Sequence, residues 1–365
     1  MMTTIQTVED AIDKRVGEVR TETLDLSFGE ISNLYAAGEL VIQPEYQRLF
    51  RWSIEQRSRL VESILLELPI PQIFVIENSN GVIELIDGLQ RVSSIIQFIE
   101  PSQLGLDALR LQGCDLIPEL NGKCFSDLSL KLRLRLKRSS VRIIVIKRQS
   151  SPHLRYEMFK RLNTGGANLA PQEIRNCTAR MLDKGEAFYK FLVENANYSG
   201  FKNCTDTLSQ ADRDSRGDEE LALRFFAVKN ARNLFRGSVR AWLDEYMEGV
   251  ILDKIAFDQA IEKQAFTELF SYLDRVLGAG AFVRYRGSAP IGALAPANYD
   301  AVAIGILNCL DEARKRPDEQ VRNSVVQVVQ QETFRDNTGP GANSKEKLEK
   351  RISLVEDAVL RNGAK

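Results

Sequence analysis

Five consecutive residues, Asp87-Gly88-Leu89-Gln90-Arg91, bring together a carboxylate, a glycine, an amide and a guanidinium. They follow a β-prone run, residues 82–86. They precede Val92, Ile95, Ile96 and Ile99, which recur at helical spacing. A strand, a glycine turn and a helix in that order make an anion trap, because a helix N-terminus presents unpaired N–H groups and the positive end of its dipole. Gly88 permits an unusual φ and a close approach of phosphate to the backbone. Arg91 adds a forked cationic donor in the first helical turn, and Gln90 adds a neutral amide. Asp87 would repel a phosphate unless a cation intervenes. Mg²⁺ often binds one or two carboxylates together with substrate oxygens, so Asp87 is the candidate metal ligand and, with Arg91, the candidate catalytic pair. The same residues also read as a plain Asp-Gly turn in which Arg91 pairs with Asp87 or Glu84. Leu89 lies three residues before Val92, on the buried stripe, and is expected to pack inward.

Two further segments could converge on that turn. Tyr46, Gln47 and Arg48 set an aromatic beside an amide and a cation, a combination that can hold a base and a phosphate. Residues 159–166, FKRLNTGG, end a predicted helix (154–161) in a loop where Asn163 and Thr164 could close over a ligand; the same residues also serve as an ordinary Asn/Gly helix stop. No residue stands out as a general base beyond Glu45 and Glu173.

The elements that must position these groups follow from pattern. Ser27 with Glu30 and Ser53 with Gln56 are capping boxes. The first opens a helix that Gly38 stops, and the second opens one carrying Ile54, Leu60, Val61, Ile64 and Leu65, ended by Pro69 and Pro71. Residues 40–42 read as a short strand. Residues 72–77 and 82–86 read as strands of a hairpin around Asn78-Ser79-Asn80-Gly81. The first part of 131–148 alternates as a strand would, but a capping-type start at Ser126 favours a short helix there; a strand over 141–146 follows, and Pro171 suits the first turn of the next helix. Beyond about 180 the pattern is of long helices, near 186–196, 218–231, 237–248, 256–277, 299–316, 318–332 and 344–361. The Gly/Ala/Pro-rich stretch 278–296 reads as a connecting loop, and 336–344 as a flexible one.

Bulk composition narrows the function classes. The 365 residues are 44% hydrophobic and 27% charged, which excludes a disordered chain and allows two units. The 49 Lys and Arg against 50 Asp and Glu give no overall attraction for nucleic acid, so DNA binding would need a local patch. Residues 131–148 supply one candidate, with eight basic residues and no acidic one; Arg133, Arg135 and Lys137 are its DNA-contacting candidates, against the alternative of a solvated helix face. No apolar run reaches the ~18 residues of a membrane span, and the N-terminal residues lack a signal-peptide pattern, so a cytoplasmic protein without membrane contact is expected. The five cysteines are widely spaced and read as free buried thiols. His153 is the sole histidine, which rules out a multi-histidine metal site; it reads as a surface residue.

The order of these motifs is itself informative. P-x-Y-Q-R, a tryptophan before a capped helix, two prolines, I-D-G-x-Q-R, F-x-R-L-N-T-G-x-x-L-x-x-Q-E-I-R-N and Arg216-Gly217-Asp218-Glu219-Glu220-Leu221 together resemble the N-terminal domain family of the GmrSD-type restriction enzymes. The resemblance runs from about Leu24 to Arg232 and implies an α+β fold: a ParB/sulfiredoxin-like domain with a small mixed sheet, followed by an all-α domain. The expected division is 1–23 as a lead-in, 24–180 as the nucleotide-binding domain and 181–365 as the helical domain. The resemblance also implies nucleoside triphosphate binding and slow Mg²⁺-dependent hydrolysis in prokaryotic anti-phage defence, with the protein as sensor or regulatory component. The family's motif residues map onto Asp87, Gly88, Gln90, Arg91, Gln47 and Arg48. Leu89 stands where the family has a glutamine, so binding is expected ahead of efficient turnover. Many relatives carry an HNH nuclease, which needs histidine; with only His153 that nuclease is not expected in this chain, and a partner nuclease or other defence protein would supply cutting. A DNA-binding module using residues 131–148, or a non-catalytic scaffold, are the alternatives.

Overall fold

A computed structural model describes residues 2–13, 20–42, 52–78, 80–147, 150, 158, 170–180, 182–339 and 341–361. Two compact units emerge, Met1–Leu169 and Ala170–Lys365.

The first unit contains α1 (Met2–Asp13), β1 (Thr21–Ser27), α2 (Phe28–Ala36), β2 (Leu40–Val41), α3 (Ile54–Leu65), β3 (Ile73–Glu77), β4 (Ile83–Asp87), α4 (Leu89–Ile99), α5 (Leu130–Arg138) and β5 (Ser140–Ile146). The strands form one mixed sheet in the order β1-β5-β3-β4-β2. β1 runs antiparallel to β5, β5 parallel to β3, β3 antiparallel to β4, and β4 parallel to β2. Ile73 and Val75 of β3 and Val141, Ile143 and Val145 of β5 meet the apolar stripes of the four helices α2 to α5. Each such fully buried side chain stabilises the fold by roughly 1.5–3 kcal/mol. On α4 the buried stripe is Val92, Ile95, Ile96 and Ile99, as its spacing predicts. On α3 it is Leu60, Val61, Ile64 and Leu65, while Ile54 in the first turn is exposed.

Both serines cap their helices, but only the Ser53–Gln56 pair closes the full reciprocal box. Ser27 Oγ accepts from Glu30 N at 3.1 Å. Ser53 and Gln56 satisfy each other's backbone N–H groups, removing two of the donors a helix start leaves orphaned. Two elements differ from expectation. The lead-in holds helix α1, and residues 21–27 form β1, an edge strand whose alternation is too polar (TETLDLS) to announce itself. The predicted helix 154–161 falls outside the described residues apart from Met158, which is helical, and His153 falls outside them too.

The second unit is helical: α6 (Pro171–Arg180), α7 (Asp183–Ala196), α8 (Ser199–Cys204), α9 (Gln210–Asp214), α10 (Gly217–Ala231), α11 (Val239–Ile251), α12 (Gln259–Val276), α13 (Pro296–Asn308), α14 (Leu310–Arg314), α15 (Asp318–Val328), α16 (Glu332–Arg335) and α17 (Lys345–Arg361). Leu221, Ala222, Leu223, Phe225, Phe226, Ala227 and Val228 of α10 are buried in sequence. A helix covered all round is the central one, and its Phe225 and Phe226 stack into a cluster with Phe191, Phe257, Phe266 and Phe270. The division after Leu169 counts α6 with this unit, although the sequence reading ended the first domain at 180; α6 packs along α7, α10 and α11. The stretch 278–296, read as a connecting loop, contains a hairpin, β6 (Arg284–Arg286) paired antiparallel with β7 (Ala289–Ile291). Its strands are three residues long, too short for a period-2 signal to rise above the glycines and prolines around them. The expected helices 299–316 and 318–332 each break into two. All five cysteines are free and buried.

Candidate functional site

The glycine turn is built as its sequence requires. The β3–β4 register shifts between Phe74 and Val75, so that Leu85 faces Val75 while Asp87 faces Phe74. The extra residue is Ile86. A bulge at this point re-aims the end of β4 just before the turn, a common use of bulges beside functional sites. Gly88 follows at φ +104°, a left-handed conformation that favours glycine. A Cβ there would also lie 2.9 Å from Ile73 Cγ1. Gly88 caps α4 without a side-chain hydrogen bond, so no side chain of the cap competes for the first-turn N–H groups.

Arg91 sits in that first turn. Its Nη2 donates to Asp87 Oδ2 at 2.9 Å and to the Gln72 carbonyl at 3.2 Å. The ion pair is half-buried, with side chains 15% and 26% exposed. This is the pairing expected of a plain turn. One feature exceeds it: Arg91 Nε is buried and has no hydrogen-bond partner, a donor whose burial costs free energy until an acceptor reaches it. Leu89 is buried in the sheet–helix core, as its place on the stripe predicts. Gln90 turns the other way, and its Oε1 accepts from Trp52 N at 3.1 Å.

That last contact matters for the second arm. Tyr46, Gln47 and Arg48, with Glu45, lie outside the described residues, as do Asn163 and Thr164. The chain is described up to Ile42, just past β2, which pairs with β4. It resumes at Trp52, held by Gln90.

Glu173 has a structural task. Its Oε2 accepts from Ala170 N at 2.8 Å, satisfying a donor at the start of α6, and the side chain is buried. The rest of the Q-E-I-R-N segment forms a network that the sequence reading did not foresee. Arg175 donates to Asp244 at 2.8 Å, to Glu220 at 2.9 Å and to Gln172 at 2.9 Å. Asn176 donates to Glu219. Burial pushes the Glu219 carboxyl above its usual range, against the Arg216 charge and the Asn176 hydrogen bond. The available signal was polar residues at i, i+3 and i+4 (Gln172, Arg175, Asn176) facing adjacent carboxylates on an otherwise apolar helix.

Four of the eight basic residues of the stretch 131–148 pair with carboxylates of their own unit. Arg135 pairs with Glu67 at 3.0 Å, Lys137 with Glu100 at 3.5 Å, Arg142 with Asp25 at 3.2 Å and Lys147 with Glu22 at 2.5 Å. Arg133 Nε is buried without a partner. Two of the three candidate DNA contacts, Arg135 and Lys137, thus share their charge with a carboxylate.

Among the described residues no three His, Cys, Asp or Glu side chains gather as a metal site. Asp87 offers a single carboxylate. That suffices only for a cation such as Mg²⁺ whose remaining ligands are waters and oxygens of another molecule, and Arg91 holds one of its oxygens.

Residues 29–179 match the family of the GmrSD restriction endonuclease, N-terminal domain. The match spans strands β2 to β5 of the sheet, the glycine turn and nearly all of α6, which packs with the helical unit. No curated protein and no solved structure matches the chain.

Proposed function

We propose that the GmrSD N-terminal domain carried by residues 29–179 binds a nucleoside triphosphate at the Gly88 turn and hydrolyses it slowly. That family is one of restriction-type anti-phage defence, and nucleotide occupancy would make this protein the sensor or regulatory component, with cutting left to a partner nuclease. The observation that supports the reading best is the left-handed Gly88 opening α4 beside Arg91, whose Nε is buried without a partner. Phosphate oxygens at the helix start would accept from the backbone N–H groups and from Arg91. Arg91 would then exchange part of its bond to Asp87 for the phosphate. Arg48 and Gln47 would supply the second arm, Tyr46 a face for the base, and Asn163 and Thr164 polar contacts over the ligand. Asp87 is the residue that would hold Mg²⁺, which neutralises phosphate charge as it develops. Leu89, packed in the core, brings no amide to orient a water, in keeping with slow turnover.

Calorimetric titration with ATP, GTP, CTP and UTP, with and without Mg²⁺, tests the proposal. Binding of at least one is expected, and Arg91→Ala should weaken it by roughly 2–3 kcal/mol, the scale of a lost charge-assisted hydrogen bond. Unchanged affinity in a well-folded variant would remove the phosphate site.

A further inference from the structure

The hairpin β6–β7 forms one wall of a cavity of about 490 Å³ in the helical unit, within the size range of small-ligand sites. Three of its lining residues are arginines. Arg284 and Arg286 flank Tyr285 on β6, both exposed while Tyr285 is buried, so the strand's alternation sends them to one face. Arg335, at the end of α16, lines the cavity too. Among the described residues no carboxylate lines the cavity or pairs with any of the three. Several other arginines of this unit find carboxylates: Arg213 with Asp218, Arg232 with Glu349, Arg275 with Asp318 and Arg314 with Glu268. In a chain whose charges nearly balance, three unopposed guanidinium groups around one concavity are a departure that needs a cause.

The walls are also fixed in place. Gln330 clasps the hairpin turn from both sides: Gly287 N donates to its Oε1 at 3.1 Å, and its Nε2 donates to the Gly287 carbonyl at 3.0 Å. Gly287, at φ +62°, takes the left-handed conformation that a two-residue hairpin turn needs. Beneath the strand, the Tyr285 hydroxyl donates to the Gly280 carbonyl at 2.8 Å, and the buried Asn298 amide donates to the Val283 carbonyl at 3.0 Å. Pre-formed walls spare a ligand part of the cost of ordering them.

We propose that this cavity is a binding site for a ligand carrying two or more phosphate groups, independent of the Gly88 turn. Guanidinium forks match phosphate oxygens bidentately. A single carboxylate would neutralise only one of the three positive charges, whereas a polyphosphate answers all of them. The concave shape favours a compact polyphosphate; the phosphates of a nucleic-acid strand share the chemistry and are the other source.

The test uses the full chain and two probes, inorganic tripolyphosphate and a twelve-residue oligothymidylate, each titrated against wild type, Arg91→Ala and the triple variant R284S/R286S/R335S. The three arginines are exposed, so the triple variant should keep its melting temperature; the single reversal Arg335→Glu serves as a second variant should it not. The expected result is at least tenfold weaker binding of one probe in the triple variant and in Arg335→Glu, with Arg91→Ala leaving that component intact. Loss confined to tripolyphosphate identifies a compact ligand. Loss confined to the oligonucleotide, with a shallower salt dependence by about 0.7 per contact removed, identifies a strand. If neither probe binds outside the Gly88 turn, or if both bind the variants as tightly as wild type, the site does not exist.

Discussion

Two clusters of charge, one in each unit, show what burial does to an arginine–aspartate pair. In the first unit Arg91 and Asp87 meet at 2.9 Å with both side chains partly open to water. In the second, Asp300 takes Arg224 through bonds of 2.5 and 2.6 Å and Arg351 through one of 2.5 Å, and the Asp300 side chain is 0% exposed. Arg351 also donates to the Ala342 carbonyl at 3.0 Å. Asp300 thus ties α10, α13 and α17 together at the centre of the helical unit. A pair partly open to water contributes less to folding than a sealed one, so it can exchange its partner for a ligand at smaller cost. A desolvated triad cannot, because removing any member strands a charge where water does not reach. The open pair is therefore where binding is to be sought, and the closed one is architecture.

Removing the closed cluster's carboxylate should give the largest effect. Asp300→Ala leaves Arg224 and Arg351 facing each other without a counter-charge, and should lower unfolding free energy by roughly 3–5 kcal/mol in chemical denaturation. A loss under 1 kcal/mol would break the contrast. Leu89→Gln comes next, since it places an amide in the core beside the turn. Stability should drop by roughly 2–4 kcal/mol, the lost apolar burial plus an unpaired polar group. Nucleotide hydrolysis should not rise; a tenfold gain at unchanged affinity would show that position 89 faces the ligand. Gly88→Ala should cost roughly 1–3 kcal/mol from its left-handed φ and weaken nucleotide binding as α4's start shifts; a variant equal to wild type in melting and in titration would sink the anion-trap geometry. The smallest stability effect belongs to Arg91→Ala, under about 1 kcal/mol, even though the same substitution is expected to reduce nucleotide affinity. If thermal melting shows Arg91→Ala losing as much as Asp300→Ala, the open pair is structural after all.

The local signals carried far in this molecule. The capping residues Ser27 and Ser53, the Gly88 turn and the α4 stripe were legible because each depends on residues within about one helical turn. The candidate site's centre was legible for the same reason. Its pairing was not: whether Arg91 would meet Asp87 or Glu84 depended on the bulge at Ile86, which only the β3–β4 register creates. For the basic run 131–148 the sequence shows the charge but not Glu67, Glu100, Asp25 and Glu22 beside four of its eight basic residues.

By itself the sequence determined where the capped helices α2 and α3 start, which face of α4 is apolar, that the cysteines are buried thiols, and that a glycine turn with an arginine opens α4. Tertiary structure decided the rest. β1, polar and unremarkable alone, becomes a strand because β5 offers it seven residue partners. The segment 284–291 becomes a hairpin because Gln330 holds its turn. Arg224, Arg351 and Asp300, up to 127 positions apart in the chain, become one buried cluster. The physical reason is range. Capping and periodicity are settled by hydrogen bonds and packing among near neighbours, whereas strand partners and ion pairs are chosen among elements that only the folded chain brings within reach.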